Sequence, residues 1–150
     1  MSCTCSYEKS MLSAYTNSST ALAVDDLLPY KTINIKRGIS ISLTPGSTTI
    51  NLVRAGRYSV TIDATVSTPD AAGVVTIELY RNNIAVPGAT ASETTTTTTD
   101  IHSLHFTTLI EVDDVCRYAG TGVSVIPLTI KNTGVAATYT NINITIVRLA

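Results

Sequence analysis

The side chains able to do chemistry in this 150-residue chain are few, and their spacing keeps them apart. Cys3, Cys5 and Cys116 are three thiols, an odd number and too few for a disulfide framework. Cys3 and Cys5 form a C-x-C pair that could join His102 and His105 around a metal ion. Zinc motifs, however, space their paired cysteines by about two to four residues. The two histidines stand three apart, and on a strand that spacing points them to opposite faces. Reduced thiols are expected, with no metal site and no cofactor, and an inter-chain disulfide through the N-terminal segment is the other option. A histidine pairing around a symmetry axis would make assembly sensitive to pH.

The carboxylates fare no better as catalytic groups. Asp63, Glu78 and Glu111 fall within apparent strands, and an acid pair needs a cleft between its members. Asp113 and Asp114 with Asp70 or Asp100 carry oxygens for calcium, which takes about six to eight of them, but no EF-hand spacing is present. Also missing are the nucleophile elbow G-x-S-x-G, the zinc motif H-E-x-x-H, the phosphate-binding loop and the dinucleotide fingerprint. No catalytic residue is expected, and the chain reads as a non-enzyme. Asn17-Ser18-Ser19 and Asn143-Ile144-Thr145 match the glycosylation sequon, which without a secretory signal is expected to be accidental.

Composition narrows the function further. Charged residues make up 14% of the chain, against roughly 25% in an ordinary soluble domain, while 44% are hydrophobic. Thr, Ser and Asn supply the remaining polarity. A surface of neutral hydroxyls and amides has little charge to repel a second copy, which suits faces covered by partners. The net charge of −1 and scattered basic residues argue against nucleic acid as a partner. No apolar run approaches the ~18 residues of a membrane span and the N-terminus lacks a signal-peptide pattern, so a soluble chain is expected, without a membrane partner.

The elements that would position these groups are strands. From about residue 21 the hydrophobic period is 2 and β-branched residues dominate, as half-buried strands require. Ile39, Ile41 and Leu43 alternate with serines before the Thr44-Pro45-Gly46-Ser47 turn. Tyr58, Val60, Ile62, Ala64 and Val66 give the longest alternation, with Ser59, Thr61, Asp63 and Thr65 facing the other way. Val75, Ile77 and Leu79 follow, then a tight turn at Asn82-Asn83, where Asn tolerates positive φ. Ile84 and Val86 continue the hairpin. Thr94–Thr99, six threonines in succession, read as either an exposed strand or a loop. Leu104, Phe106, Thr108, Ile110 and Val112 share one strand face. Val123, Val125, Leu128 and Ile130 form a strand interrupted at Pro127, and Ile142, Ile144 and Ile146 close the chain. Seven or more short strands at this spacing predict an all-β domain over residues 21–150, a β-sandwich or jelly roll.

Residues 1–20 show no sustained period and predict an extended N-terminal arm that contributes little to folding of the jelly roll. Such a segment cannot offset its own ordering entropy, about 1–2 kcal/mol per residue, so its order must come from a partner. Tyr7, Met11, Leu12 and Tyr15 are its side chains large enough to anchor, and Tyr7, Met11 and Tyr15 fall about four apart, as on an induced helical turn.

The ordered segments Ile39–Leu43, Thr49–Leu52, Ala55-Gly56-Arg57-Tyr58-Ser59-Val60 and Val86-Pro87-Gly88-Ala89 carry a family resemblance. The chain resembles the bacterial and phage branch of the complement and tumour-necrosis-factor-like jelly rolls. That branch includes C-terminal domains of exosporium collagen-like proteins and small phage structural proteins. A strand opening Gly-x-Tyr, here Gly56 and Tyr58, and an Asn-rich hairpin leading to Val-Pro-Gly-Ala are its cues. The ending Lys131–Tyr139, followed by the Ile142, Ile144 and Ile146 strand, extends the likeness over roughly 22–150. No collagen-like tract precedes the domain, so the compact phage-type protein is the better match. The resemblance implies a homotrimer and a virion structural role on the capsid exterior, as a capsid decoration or head-fibre protein bound to the major capsid or another scaffold protein. A bacterial cell-surface or spore-coat protein, or a tip domain binding a surface glycan or receptor, are the alternatives.

Overall fold

The computed structural model describes residues 9–113 and 125–150. Among them are eleven strands: β1 Met11–Thr16, β2 Thr20–Leu22, β3 Thr32–Arg37, β4 Ile41–Ser42, β5 Ile50–Leu52, β6 Gly56–Ser67, β7 Val74–Arg81, β8 Ile84–Thr94, β9 Ile101–Val112, β10 Ile126–Asn132 and β11 Ala137–Arg148. They form two antiparallel sheets. One runs β3-β1-β11-β6-β9 with β2 pairing the far end of β11, and the other runs β4-β5-β10-β7-β8. Most neighbours within a sheet are distant in sequence, so the connections pass between sheets and the first strand lies beside the last. That is a jelly roll, as the alternation predicts.

The core lies between the sheets and is built from every second residue. On β6, Tyr58, Val60, Ile62, Ala64 and Val66 are buried, facing Val75, Ile77 and Leu79 of β7 and Leu128 and Ile130 of β10 across the sandwich. Leu104, Phe106, Ile110 and Val112 of β9 and Ile142, Ile144 and Ile146 of β11 complete it. Asn82 and Asn83 take φ of 51° and 63° and turn β7 into β8, as their type requires.

Most buried polar side chains in this core are paired, the Tyr30 hydroxyl being an exception among the described residues. Asn132, at 0% exposure, donates from Nδ2 to the carbonyls of Ala23 and Val135, each at 3.1 Å, and its Oδ1 accepts from Tyr139 Oη at 2.9 Å. It thereby ties the segment after β2 to the β10–β11 turn. Tyr58 Oη donates to the Arg54 carbonyl at 2.7 Å. Gly56 explains the first half of the Gly-x-Tyr signature: its φ is 148°, and a Cβ there would meet the Ala150 carbonyl oxygen at 2.5 Å and Arg148 Nε at 2.7 Å. Burial pushes the phenols of Tyr30 and Tyr139 well above the usual tyrosine range.

Two readings of the sequence are corrected by this arrangement, and two open ones are resolved. Residues 11–16 are not part of an arm outside the fold. They form β1, hydrogen-bonded to β11 on one side and β3 on the other, with a buried period of 2. The period is hard to see because two of the three inward residues, Ala14 and Thr16, are only weakly apolar, whereas the outward ones include Met11 and Tyr15. Ile39 is exposed and Ser40 buried, the reverse of the expected alternation. The Ser40 side chain is held inside by Arg148 Nη1 at 3.3 Å, and its backbone N–H donates to Ser10 Oγ at 3.1 Å. Ile84 opens β8, as the hairpin reading expects, and stands 72% exposed. Of the threonine run, Thr94 ends β8 and Thr95 is buried against Thr68, their hydroxyls 2.6 Å apart. Thr96 and Thr97 donate backbone N–H and hydroxyl groups to the Asp100 carboxylate, which caps the loop and is held below the usual carboxylate range by those bonds. Val123, Asp114 and Cys116 lie outside the described residues, as do Cys3, Cys5 and Tyr7.

Candidate assembly surface

The surface that stands out is the outward face of the β3-β1-β11-β6-β9 sheet. Antiparallel register aligns outward side chains in rows across it. Ser13, Thr145, Thr61 and Thr107 make one row, in which the Thr61 and Thr107 hydroxyls are 3.1 Å apart. Met11, Val147, Ser59 and Leu109 make the row on one side of it. Tyr15, Asn143, Asp63 and His105 make the row on the other, with His105 Nδ1 2.7 Å from Asp63 Oδ1. Within β1, β11, β6 and β9 these three rows carry charge only at Asp63 and His105, while Arg37 of β3, beside Met11, and the Arg57–Glu111 pair, 3.6 Å apart, stand at the margin of the face. Covering such a face strips water from hydroxyls and amides that can re-pair, which is far less costly than burying lone charges.

The edge beside this face has the opposite character. β9 is twelve residues long and pairs, among the described residues, only with β6, so its other side presents unpaired backbone groups. It carries two large exposed apolar side chains, Ile101 at 71% and Leu109 at 67%. The facing edge strand β8 is blunted by Pro87 and by Gly88 at φ 80°, and its pairing with β7 shifts register between Glu78 and Tyr80. β9 has no such device. Between the two edges an open cleft of about 410 Å3 is lined by Ile84, Val86, Pro87, Leu109, Ile110 and Ile126, with Arg81, Asn82, Ala85 and Glu111.

The anchor residues expected from the sequence divide between the two faces of β1. Met11 and Tyr15 stand half-buried on the outward face just described, two positions either side of Ser13, while Leu12 is 1% exposed in the core and unavailable to a partner. No helical turn is involved; on a strand residues 11 and 15 share a face by the period of 2. His102 and His105 point to opposite sides, His102 toward Glu93 of β8 at 3.9 Å and His105 toward Asp63. Among the described residues no three His, Cys, Asp or Glu side chains converge as metal ligands would, and no helix is long and apolar enough to cross a membrane.

Several solved structures share this architecture. Murine APRIL at pH 5.0 superposes with a TM-score of 0.63 at 11% identity, over 95% of this chain and 100% of that one. The fold is the tumour-necrosis-factor-like jelly roll. Eiger TNF from S. frugiperda gives 0.62 at 13% identity over 95% and 92% of the two chains. The PRD1 vertex protein P5 gives 0.58 at 16% identity over 94% and 97%. No protein-family model and no curated protein sequence matches the chain.

Sequence reasoning missed two components of the surface. Thr107 and Leu109 were unremarked because an outward strand position carries no periodic signal beyond being polar or isolated. The signal that could have found them is the run of Ser, Thr and Asn at the central outward positions of β1, β6, β9 and β11. The exposed Ile84 was hidden by its apparent continuity with Val86.

Proposed function

We infer that this chain is a non-enzymatic virion structural protein, a capsid decoration or head-fibre protein that works as a homotrimer on the capsid exterior. The observation that carries the reading is the pairing of a sheet face whose central rows are almost free of charge with a long, unblunted, apolar-studded edge strand in the same molecule. The β9 edge and the β1 side of the face are different patches, so contact between them is heterologous and generates a ring when the rotation closes. The jelly-roll resemblance supports three as the number of copies. In this arrangement the β9 edge of one subunit, with Leu109 and the adjoining cleft, lies against the outward rows of the next, where Met11 and Tyr15 stand. Burying that edge removes the aggregation liability a monomer would carry.

The likeness to a vertex protein along nearly the whole chain supports the virion setting. Because β1 belongs to the sheet, attachment to a major capsid or other scaffold protein falls to the residues ahead of it, with Tyr7 as the expected anchor. The test is co-sedimentation with purified particles. Full-length protein is expected to rebind particles stripped of it, and a chain beginning at Lys9 is expected to stay folded and fail to rebind. Equal rebinding by both would reject the N-terminal attachment, and failure of the full-length chain to rebind would reject the decoration role.

A further inference from the structure

On the opposite side of the sandwich, the outward surface of the β10–β7 pair holds a second, unrelated feature. A pocket of about 210 Å3 is lined by Asp25, Leu27, Tyr80, Asn83, Thr129 and Lys131. Its volume is below the roughly 300–1,000 Å3 of sites for drug-sized ligands, so it takes a single small ring. Thr129 and Tyr80 are cross-strand partners, as are Lys131 and Glu78, which fixes their spacing on a rigid sheet. The Lys131 ammonium lies 4.4 Å from the Tyr80 ring centroid, a cation–π contact that holds both side chains in place. Asp25 is anchored through its backbone N–H to the Asn132 carbonyl at 2.7 Å. Asn83 comes from the tight β7–β8 turn.

We propose that this pocket is a saccharide-binding site for one neutral hexose unit of a glycan. The donor set matches what a sugar ring needs. Its hydroxyls each donate and accept. Asp25 accepts, Lys131 donates, and the Asn83 amide and Thr129 hydroxyl do both. Leu27 and the Tyr80 ring supply apolar wall for the C–H surface of the ring. Because Lys131 already orders Tyr80, little side-chain entropy is lost on binding. Asp25 and the adjacent Glu78 outweigh the single positive charge of Lys131, which disfavours carboxylated sugars. The pocket lies on the outward surface of the other sheet, and because its Asn83 adjoins Asn82 of the cleft, binding is read on the full chain alongside its oligomeric state.

Saturation-transfer difference NMR on the full chain, with the methyl glycosides of glucose, galactose, mannose and N-acetylglucosamine at millimolar concentration, reads the site directly. Transfer to at least one of the four is expected. Tyr80→Ala and Asp25→Asn are each expected to weaken it at least tenfold while leaving the thermal transition of the protein in place. Thr61→Ser on the opposite face is expected to leave it unchanged. Methyl glucuronide is expected to bind at least tenfold more weakly than the preferred neutral glycoside. No transfer to any of the four, transfer that survives both pocket substitutions, or equal binding of the glucuronide would overturn the assignment.

Discussion

A chain beginning at Ala21 removes β1 and tests whether the first strand is part of the fold. Its loss takes Leu12 and Ala14 from the core, and deleting a buried leucine alone costs about 2–5 kcal/mol. It also removes polar partners of groups left inside. Thr16 Oγ1 donates to the Pro29 carbonyl at 2.8 Å and accepts from the Lys31 N–H at 3.0 Å. Ser10 Oγ accepts from the Ser40 N–H at 3.1 Å, and the Ser10 carbonyl accepts from the Arg148 N–H at 2.8 Å. Each buried group left unpaired costs about 1–3 kcal/mol. The inner edge of β11, paired with β1 over six residue positions, would become a free edge. The combined loss is comparable with the ~5–15 kcal/mol stability of a whole domain. Urea unfolding followed by far-UV circular dichroism is therefore expected to show no cooperative transition for the chain beginning at Ala21. A chain beginning at Lys9 should retain the full-length midpoint, and Leu12→Ala should lie between. A cooperative transition within about 1 kcal/mol of full length for the Ala21 chain would refute the strand's structural role.

Further outcomes follow from the buried polar and apolar groups. Asn132→Ala strips Tyr139 Oη and two carbonyls of their partner, and is expected to cost about 3 kcal/mol. At ~2–4 °C per kcal/mol for a chain of this size, calorimetry should show Tm lower by about 6–12 °C. Ile62→Asp buries an unpaired carboxylate and is expected to abolish the native circular dichroism signal, whereas Thr61→Asp, on the outward face, should leave the subunit folded. Tyr30 and Tyr139 have phenol pKa values raised in the folded state. Their contribution to stability is complete below the unfolded value near 10 and declines as pH rises above it. Absorbance at 295 nm should show these two phenols silent until the protein unfolds in alkali; their titration in the native protein at pH 10 would contradict their burial.

The sequence was most informative where a strand has one dry face and one wet face. β6, β7, β9 and β11 announce themselves because Tyr58 to Val66, Val75 to Leu79, Leu104 to Val112 and Ile142 to Ile146 alternate without a break. It was least informative where burial is decided by hydrogen bonding or by weakly apolar residues. Ser40 goes inside because Arg148 and Ser10 meet it there, and Thr95 because Thr68 does. β1 hides behind Ala14 and Thr16, and only its pairing with β11 over the full length of the strand reveals it. The outward rows were equally hidden: only register shows which residues share a face. The saccharide pocket draws Asp25, Tyr80 and Lys131 from three separate segments, a juxtaposition no local pattern encodes.

The measurement that tests assembly most directly is the solution mass of the full chain by light scattering, compared with that of a Thr61→Arg, Thr145→Arg double variant. Thr61 and Thr145 are neighbours at the centre of the neutral face, and two unpaired cations there cannot be buried against a second copy. The unsubstituted protein is expected at three times its 15.9 kDa chain mass at micromolar concentration, and the double variant at one chain mass with an unchanged far-UV spectrum. A monomeric unsubstituted chain, or a trimer that persists in the double variant, would contradict assembly through this face.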